Sequence, residues 1–286
     1  MGAKFGAAGN GDLFYKEGYK ASEEMPGWLK KFGLDAYEYQ CGNGVRIKED
    51  TARRIGERAK ENGILLSLHS PYYINLATPE PEKREKSIAY IVESLTAADY
   101  MGAGRVVVHS GALGKQTREE ALENAKATVK LAVKTADDMG FGHIKLCIET
   151  MGKINQLGNL DEVMELCLID DRLLPTIDFG HLNARTLGGL KSYEDFLAVF
   201  DTIENKLGSD RLKIFHSHFS KIEYTKGGEK KHLTFEDEVF GPDFDYVAEI
   251  VYKKGLSPIF ICESAGTQPE DALAMKRIYE GLKDKV

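Results

Sequence analysis

Cysteine is scarce. The four residues, Cys41, Cys147, Cys167 and Cys262, form no C-x-x-C pair, and two of them lie inside apolar, strand-like runs. A disulfide framework is therefore not expected, and the thiols read as small buried hydrophobes. Long apolar runs are also lacking. None approaches the roughly 20 residues of a membrane helix, so no membrane partner is expected. No apolar h-region follows Met1, which makes a cytoplasmic location the expectation. Positive charge is not in excess, with 38 Lys and Arg against 45 Asp and Glu and a formal net charge of −7. That balance argues mildly against a nucleic-acid partner, although bound dications reverse the sign of a local site. Finally, no Pro/Ser-rich linker or low-complexity block divides the chain, and a single domain over residues 1–286 is expected.

What is present is alternation. Short apolar runs predict strands at Lys4–Ala8, Ala36–Gln40, Ile64–His69, Arg105–His109, Lys145–Glu149, Leu174–Asp178, Lys213–His218 and Pro258–Glu263. Longer amphipathic stretches between them predict helices at Met25–Phe32, Glu49–Asn62, Glu80–Met101, Arg118–Met139, Asp161–Cys167, Tyr193–Leu207, Asp245–Lys254 and Pro269–Lys283. Ile88, Ile91, Val92, Leu95 and Ala98 fall on one helical face, and Gly63, Gly140 and Gly255 stand where helix C-caps belong. Eight such units, at about 36 residues each, match an α/β fold of the (β/α)₈ TIM-barrel type. An open doubly wound sheet is the rival. It would gather site residues at one switch point, whereas a barrel gathers them at the ends of many strands.

The chemistry-bearing residues decide between these. His69, His109, Glu149, Asp178 and Glu263 end their predicted strands, His216 and His218 lie at the end of the seventh, and His181 follows three residues after Asp178. His232 sits in the loop after the seventh strand, and His143 alone has no such placement and reads as a surface residue. Six consecutive strands thus deliver imidazole and carboxylate to one rim, which favours the closed barrel. A single histidine at a strand end is usually a hydrogen-bonded structural residue, but six converging strand ends would leave buried charge uncompensated without a cation. Imidazole with carboxylate suits zinc, with manganese as the alternative. Eight ligands with bridging carboxylates suit two or three ions.

At this point the series resembles a known family. His69-Ser70-Pro71-Tyr72-Tyr73-Ile74-Asn75-Leu76, His109-Ser110-Gly111, Ile148-Glu149-Thr150, the Asp178-x-x-His181 segment, His216 and Ile261-Cys262-Glu263-Ser264 resemble, in order, the motifs of endonuclease IV, a zinc-dependent apurinic/apyrimidinic endonuclease. The resemblance runs from about Ile64 onward. It implies a first ion on His69, His109 and Glu149, a second on Glu149, Asp178, His216 and Glu263, and a third on His181 and His232. The family's third site uses an Asp-Arg-His triplet. Here the triplet is Lys230-Lys231-His232, which leaves Glu229, after a one-residue slip, or His218 to complete it. The implied activity is hydrolysis of DNA 5′ to abasic sites, with Glu149 and Glu263 as catalytic carboxylates. Tyr72 would fill the gap of the missing base, and His218 and Arg46 would be further substrate contacts; Arg46 also reads as a solvated surface charge. Barrels of the xylose-isomerase type are similar too. For them Glu149, Asp178, His216 and Glu263 would hold one ion for isomerising or epimerising a small sugar. His69 with His109, and His181 with His232, discriminate the two readings. The lysines of the segment from Phe219 to Gly241 mark a candidate lid or DNA-contacting loop.

Overall fold

A computed structural model describes residues 2–283. The strands are β1 (Lys4–Ala8), β2 (Ala36–Gln40), β3 (Leu65–His69), β4 (Arg105–His109), β5 (Lys145–Glu149), β6 (Leu174–Asp178), β7 (His216–Phe219), β8 (Ile222–Thr225), β9 (Gly228–His232) and β10 (Ile259–Cys262). Eight of them close a parallel barrel in the order β1-β2-β3-β4-β5-β6-β7-β10, while β8 and β9 form a separate antiparallel hairpin. The expected barrel is therefore present. The hairpin, read from sequence as a loop, is an insertion after β7. The start of the seventh predicted strand belongs instead to a short helix, Ser209–Lys213.

The outer helices follow the expected stretches to within a residue or two, and Gly63 caps its helix in the left-handed conformation at φ 66°. Capping boxes at Thr117/Glu120, Asn159/Glu162 and Ser192/Asp195 satisfy the first-turn amides of three helices. Two short helices, Asp12–Lys16 and Phe179–Arg185, were not anticipated.

Strand alternation divides the barrel residues between two environments. Phe5, Tyr37, Leu66, Leu68, Val106, Val108, Leu146, Ile148, Phe215 and Phe260 join the main core beneath the helices. The inward set does not form one apolar plug. It splits into a patch of Ala8, Ala36 and Ile261 and another of Val107, Cys147 and Leu174. Between and above them lie buried Glu38, Ser67, Thr176, His216 and His218. Gly6 explains part of this geometry: it faces Ala36 on β2, where a Cβ would sit 2.2 Å from the Ala36 carbonyl oxygen.

Candidate metal centre

Register sets the neighbours at the top of the barrel. Gln40 lies opposite His69, His109 opposite Glu149, and Asp178 opposite His218. Glu149 is fully buried, and its two oxygens face different ways. Oε2 lies 3.2 Å from His69 Nε2 and 3.3 Å from His109 Nε2, while Oε1 lies 3.2 Å from His218 Nδ1. Candidate ligand atoms converge here in three main groups, His69, His109 and Glu149; Glu149, Asp178, His218 and Glu263; and His181, Glu229 and His232, with a fourth set of His69, His218 and Glu263 overlapping the first two.

The seventh strand requires a correction. The sequence reading set His216 beside Asp178 and Glu263, and treated His218 as a substrate contact. In the structure His218 occupies that place, because Asp178 pairs with His218 whereas His216 pairs with Thr176. At about 3.3 Å per residue, His216 sits roughly 7 Å deeper. Its Nε2 bonds Glu38 Oε2 at 2.9 Å. Glu38 was missed by sequence reasoning. The available signal was a carboxylate at an inward position of the second strand, two residues before Gln40.

The third group resolves the Lys230 question. The β8–β9 ladder pairs Ile222 with His232 and Glu223 with Lys231, but Tyr224 with Glu229. Lys230 is thus the extra residue of a β-bulge, and the bulge turns Glu229 to the same side as His232. Glu229 Oε2 lies 3.4 Å from His181 Nε2. Lys230 and Lys231 instead share Glu223, and Lys221 pairs with Asp243, so part of the segment's positive charge is offset. The hairpin docks on the loop after β5 through Glu229 N–H to the Gly152 carbonyl and Ile154 N–H to the Gly227 carbonyl. Gly152 permits this approach, since a Cβ there would lie 2.6 Å from that of Glu229. Arg118 and Arg185 grip the same loop through the carbonyls of Met151, Lys153, Ile154 and Gln156.

The residues fit a metal. Asp178 Oδ1 caps the following helix at the His181 amide, but Oδ2 is buried without a hydrogen bond. His69 Nδ1 donates to the Ser70 carbonyl and His181 Nδ1 to the Thr150 carbonyl, which leaves each Nε2 lone pair for a cation. His232 Nδ1 is held by Ser220 Oγ at 2.8 Å. Tyr72, with its ring exposed, lines the same cleft of about 320 Å³, together with Gln40, Lys153 and Gln156. Arg46 is exposed and lies outside the lining. His143 is at the surface, paired with Asp99.

Charge is finely balanced without a cation. Burial pushes the His69 imidazole down, but the hydrogen bond and charge of Glu149 override it and hold His69 up at about 9. Burial raises the Asp178 carboxyl. His181 draws it back, and the Glu263 and Glu149 charges raise it further. Since the free imidazole titrates near 6.5, protonated His69 stabilises the metal-free fold fully below about pH 6.5, and that contribution is lost as pH rises to about 9. Chelator-stripped protein should therefore show a falling thermal midpoint across this window, with a shallower fall in His69→Asn. Equal slopes would contradict the assignment.

The family model described as xylose isomerase-like TIM barrel matches residues 26–282. The chain belongs to that family. An uncharacterized protein of Methanocaldococcus jannaschii is 34% identical over 248 residues, covering 87% of this chain and 88% of its own. A probable endonuclease 4 of Mycoplasma genitalium is 31% identical over 166 residues, 56% of this chain and 53% of that one. Among solved structures, a D-tagatose 3-epimerase-like protein superposes with a TM-score of 0.72 at 21% identity, covering 99% and 98% of the two chains. Endonuclease IV from Thermus thermophilus superposes at 0.66 with 19% identity, covering 99% and 100%. The endonuclease IV resemblance is thus borne out within this family, and the barrel is shared with epimerases. Among the described residues, no helix is long and apolar enough to cross a membrane.

Proposed function

We propose that this family member is a metal-dependent phosphodiester hydrolase that incises DNA 5′ to abasic sites, with two or three zinc ions. The observation that carries the reading is the convergence of three ligand groups, two of them sharing Glu149. A one-metal sugar isomerase needs only Glu149, Asp178, His218 and Glu263, and would leave the other two groups without a cation.

His69, His109 and Glu149 would hold one ion, Glu149, Asp178, His218 and Glu263 a second, and His181, Glu229 and His232 a third. When bound, the ions supply Lewis-acid polarisation of the phosphate and neutralise charge on the leaving oxygen. Glu149, buried and facing both sides of the centre, fixes the spacing of the two ligand sets. Glu263, whose side chain keeps 15% exposure at the cleft, is placed to orient water and to take its proton. The water oxygen ends on phosphorus, and the O3′–P bond breaks with a proton passing to O3′. Lys153 offers a cation to the phosphate backbone, and Tyr72 a ring face to an unpaired base.

The pairing of hairpin lysines with Glu223 and Asp243 favours a second reading, a sugar epimerase using the Glu149–Asp178–His218–Glu263 group alone. A nicking assay separates the two. A duplex with one tetrahydrofuran abasic analogue, which cannot undergo β-elimination, should be cut 5′ to the site by zinc-loaded protein and spared after chelation. No incision by protein carrying two or more ions, with turnover on a ketose panel, would establish the epimerase reading instead.

A further inference from the structure

Beneath the metal centre runs a buried polar chain that neither reading uses. Arg105, on the barrel floor, donates to the carbonyls of Ile214 and Phe215 and to His216 Nδ1, the last at 3.3 Å. A guanidinium is always a donor. His216 Nδ1 must therefore accept, and the ring proton sits on Nε2, which donates to Glu38 Oε2 at 2.9 Å. Ser67 Oγ donates to the same oxygen at 2.8 Å, and Gln40 Nε2 donates to Glu38 Oε1 at 3.1 Å. The second imidazole near Oε1 is that of His218: its Nε2 lies 2.9 Å away as an ion-pair contact outside hydrogen-bond alignment, and its Nδ1 is hydrogen-bonded to Glu149 Oε1 at 3.2 Å. Glu38, His216 and His218 are all fully buried.

We propose that Glu38 is a positioning residue for the metal centre. With a metal on Nδ1, its carboxylate is the acceptor within reach of the Nε2 proton, and it so holds the Nδ1 lone pair toward Glu149 and Glu263. His218 differs in this from His69 and His181, which are oriented by main-chain carbonyls and present Nε2. Ligation through Nδ1 requires an acceptor on the floor side of the ring, and Glu38 is the acceptor the fold supplies. The three residues also lie close enough to hold an ion of their own. That alternative is disfavoured, because Arg105 occupies the His216 Nδ1 lone pair and so commits Nε2 to carrying a proton. The inference rests on the reading that the Glu149–Asp178–His218–Glu263 group holds a metal, and is independent of the substrate.

Glu38→Gln provides the test. A glutamine side chain accepts through one oxygen only. With His216 fixed as a donor by Arg105, that oxygen turns to His216, and the amide N–H groups face His218 Nε2. The Nε2 proton of metal-bound His218 is then left without an acceptor, and ligation through Nδ1 weakens. The expected results are a full complement of zinc at saturation, one ion bound about 10–100-fold more weakly in chelator competition, and a ¹⁵N imidazole spectrum of the zinc-loaded protein in which the His218 Nε2–H resonance shifts as its carboxylate acceptor is lost. A merely structural residue would change the thermal midpoint and leave that resonance alone. Unchanged affinity with an unmoved Nε2–H resonance would overturn the proposal. So would loss of one whole ion at saturation with the other affinities intact, which would make Glu38 a ligand. Wild-type protein that binds no zinc would instead overturn the metal reading beneath both this inference and the proposed function. Should Glu38→Gln not fold, Ser67→Ala removes one of the bonds holding the carboxylate. It should weaken the same ion by about two- to tenfold, and no change there would also count against the proposal.

Discussion

Glu149→Gln protein should leave a desalting column with two fewer zinc ions than wild type, and on the proposed hydrolase reading its incision rate should fall by at least about 10²–10³-fold. This is the expected result because one buried side chain serves two ligand groups through opposite oxygens. Glutamine matches the shape but offers a single neutral oxygen, and its amide nitrogen repels a cation on the other side. The His69–His109 pair is left without an anionic partner, and Asp178, His218 and Glu263 lose the carboxylate that completes them. The fold should survive in outline, since the amide is isosteric. The metal-free variant should nevertheless be less stable, because His69, His181 and His218 keep their buried positions with a charge partner removed. Elemental analysis decides the matter. Loss of one ion alone would show that Glu149 belongs to a single group. Glu263→Gln is the contrasting variant and should lose one ion, as Glu263 contributes to no group that includes His109 or His181.

The second large effect concerns Glu229, which only a bulge brings to the site. Glu229→Ala should abolish the His181–Glu229–His232 group while sparing the other two, whereas deleting Lys230 should preserve it. The hairpin places two residues, Lys230 and Lys231, between Glu229 and His232, and only the bulge lets both ends face the same way. Without the extra residue, Glu229 and His232 stand two apart, and strict alternation keeps them on one face. In Glu229→Ala the ion held there should weaken by more than the roughly 10–100-fold that loss of an outer-sphere partner brings. Lys230→Asp, by contrast, should restore nothing. Lys230 points away toward Glu223, so an aspartate there meets a like charge and not a metal. Zinc stoichiometry of the three variants, with circular dichroism to confirm folding, tests the register. A third-site gain in Lys230→Asp would mean the bulge is misplaced.

The barrel and its rim were legible because both leave periodic signals. Strand ends of the form apolar-apolar-His or apolar-apolar-Glu recur at barrel spacing, and His69, His109, Glu149, Asp178, His181, His232 and Glu263 come together as their positions suggested. The His216/His218 choice was not legible. Residues two apart on a strand share a face, so both imidazoles point inward, and only pairing with β6 says which reaches the top. Glu38 escaped notice for a related reason: it lies one layer below the rim, where its partners come from β3 and β7, 29 and 178 residues away. The hairpin was obscured by composition. Glu-Lys-Lys is poor strand sequence, and the Gly227-Gly228 pair between the two strands carries no apolar alternation to mark them. A bulge cannot be seen until a register exists to violate.

The grip of Arg118 and Arg185 on the loop after β5 bears on how a substrate would be received. Two guanidinium groups hold four successive or near-successive main-chain carbonyls, and the docked hairpin fixes the same stretch from the other side. One wall of the cleft is consequently ordered in the free protein. The entropy of immobilising such a loop, about 1–2 kcal/mol for each residue's backbone, is met during folding and does not recur at the encounter with ligand. Any adjustment to a ligand is thereby left to the rest of the cleft lining, where Tyr72 stands exposed.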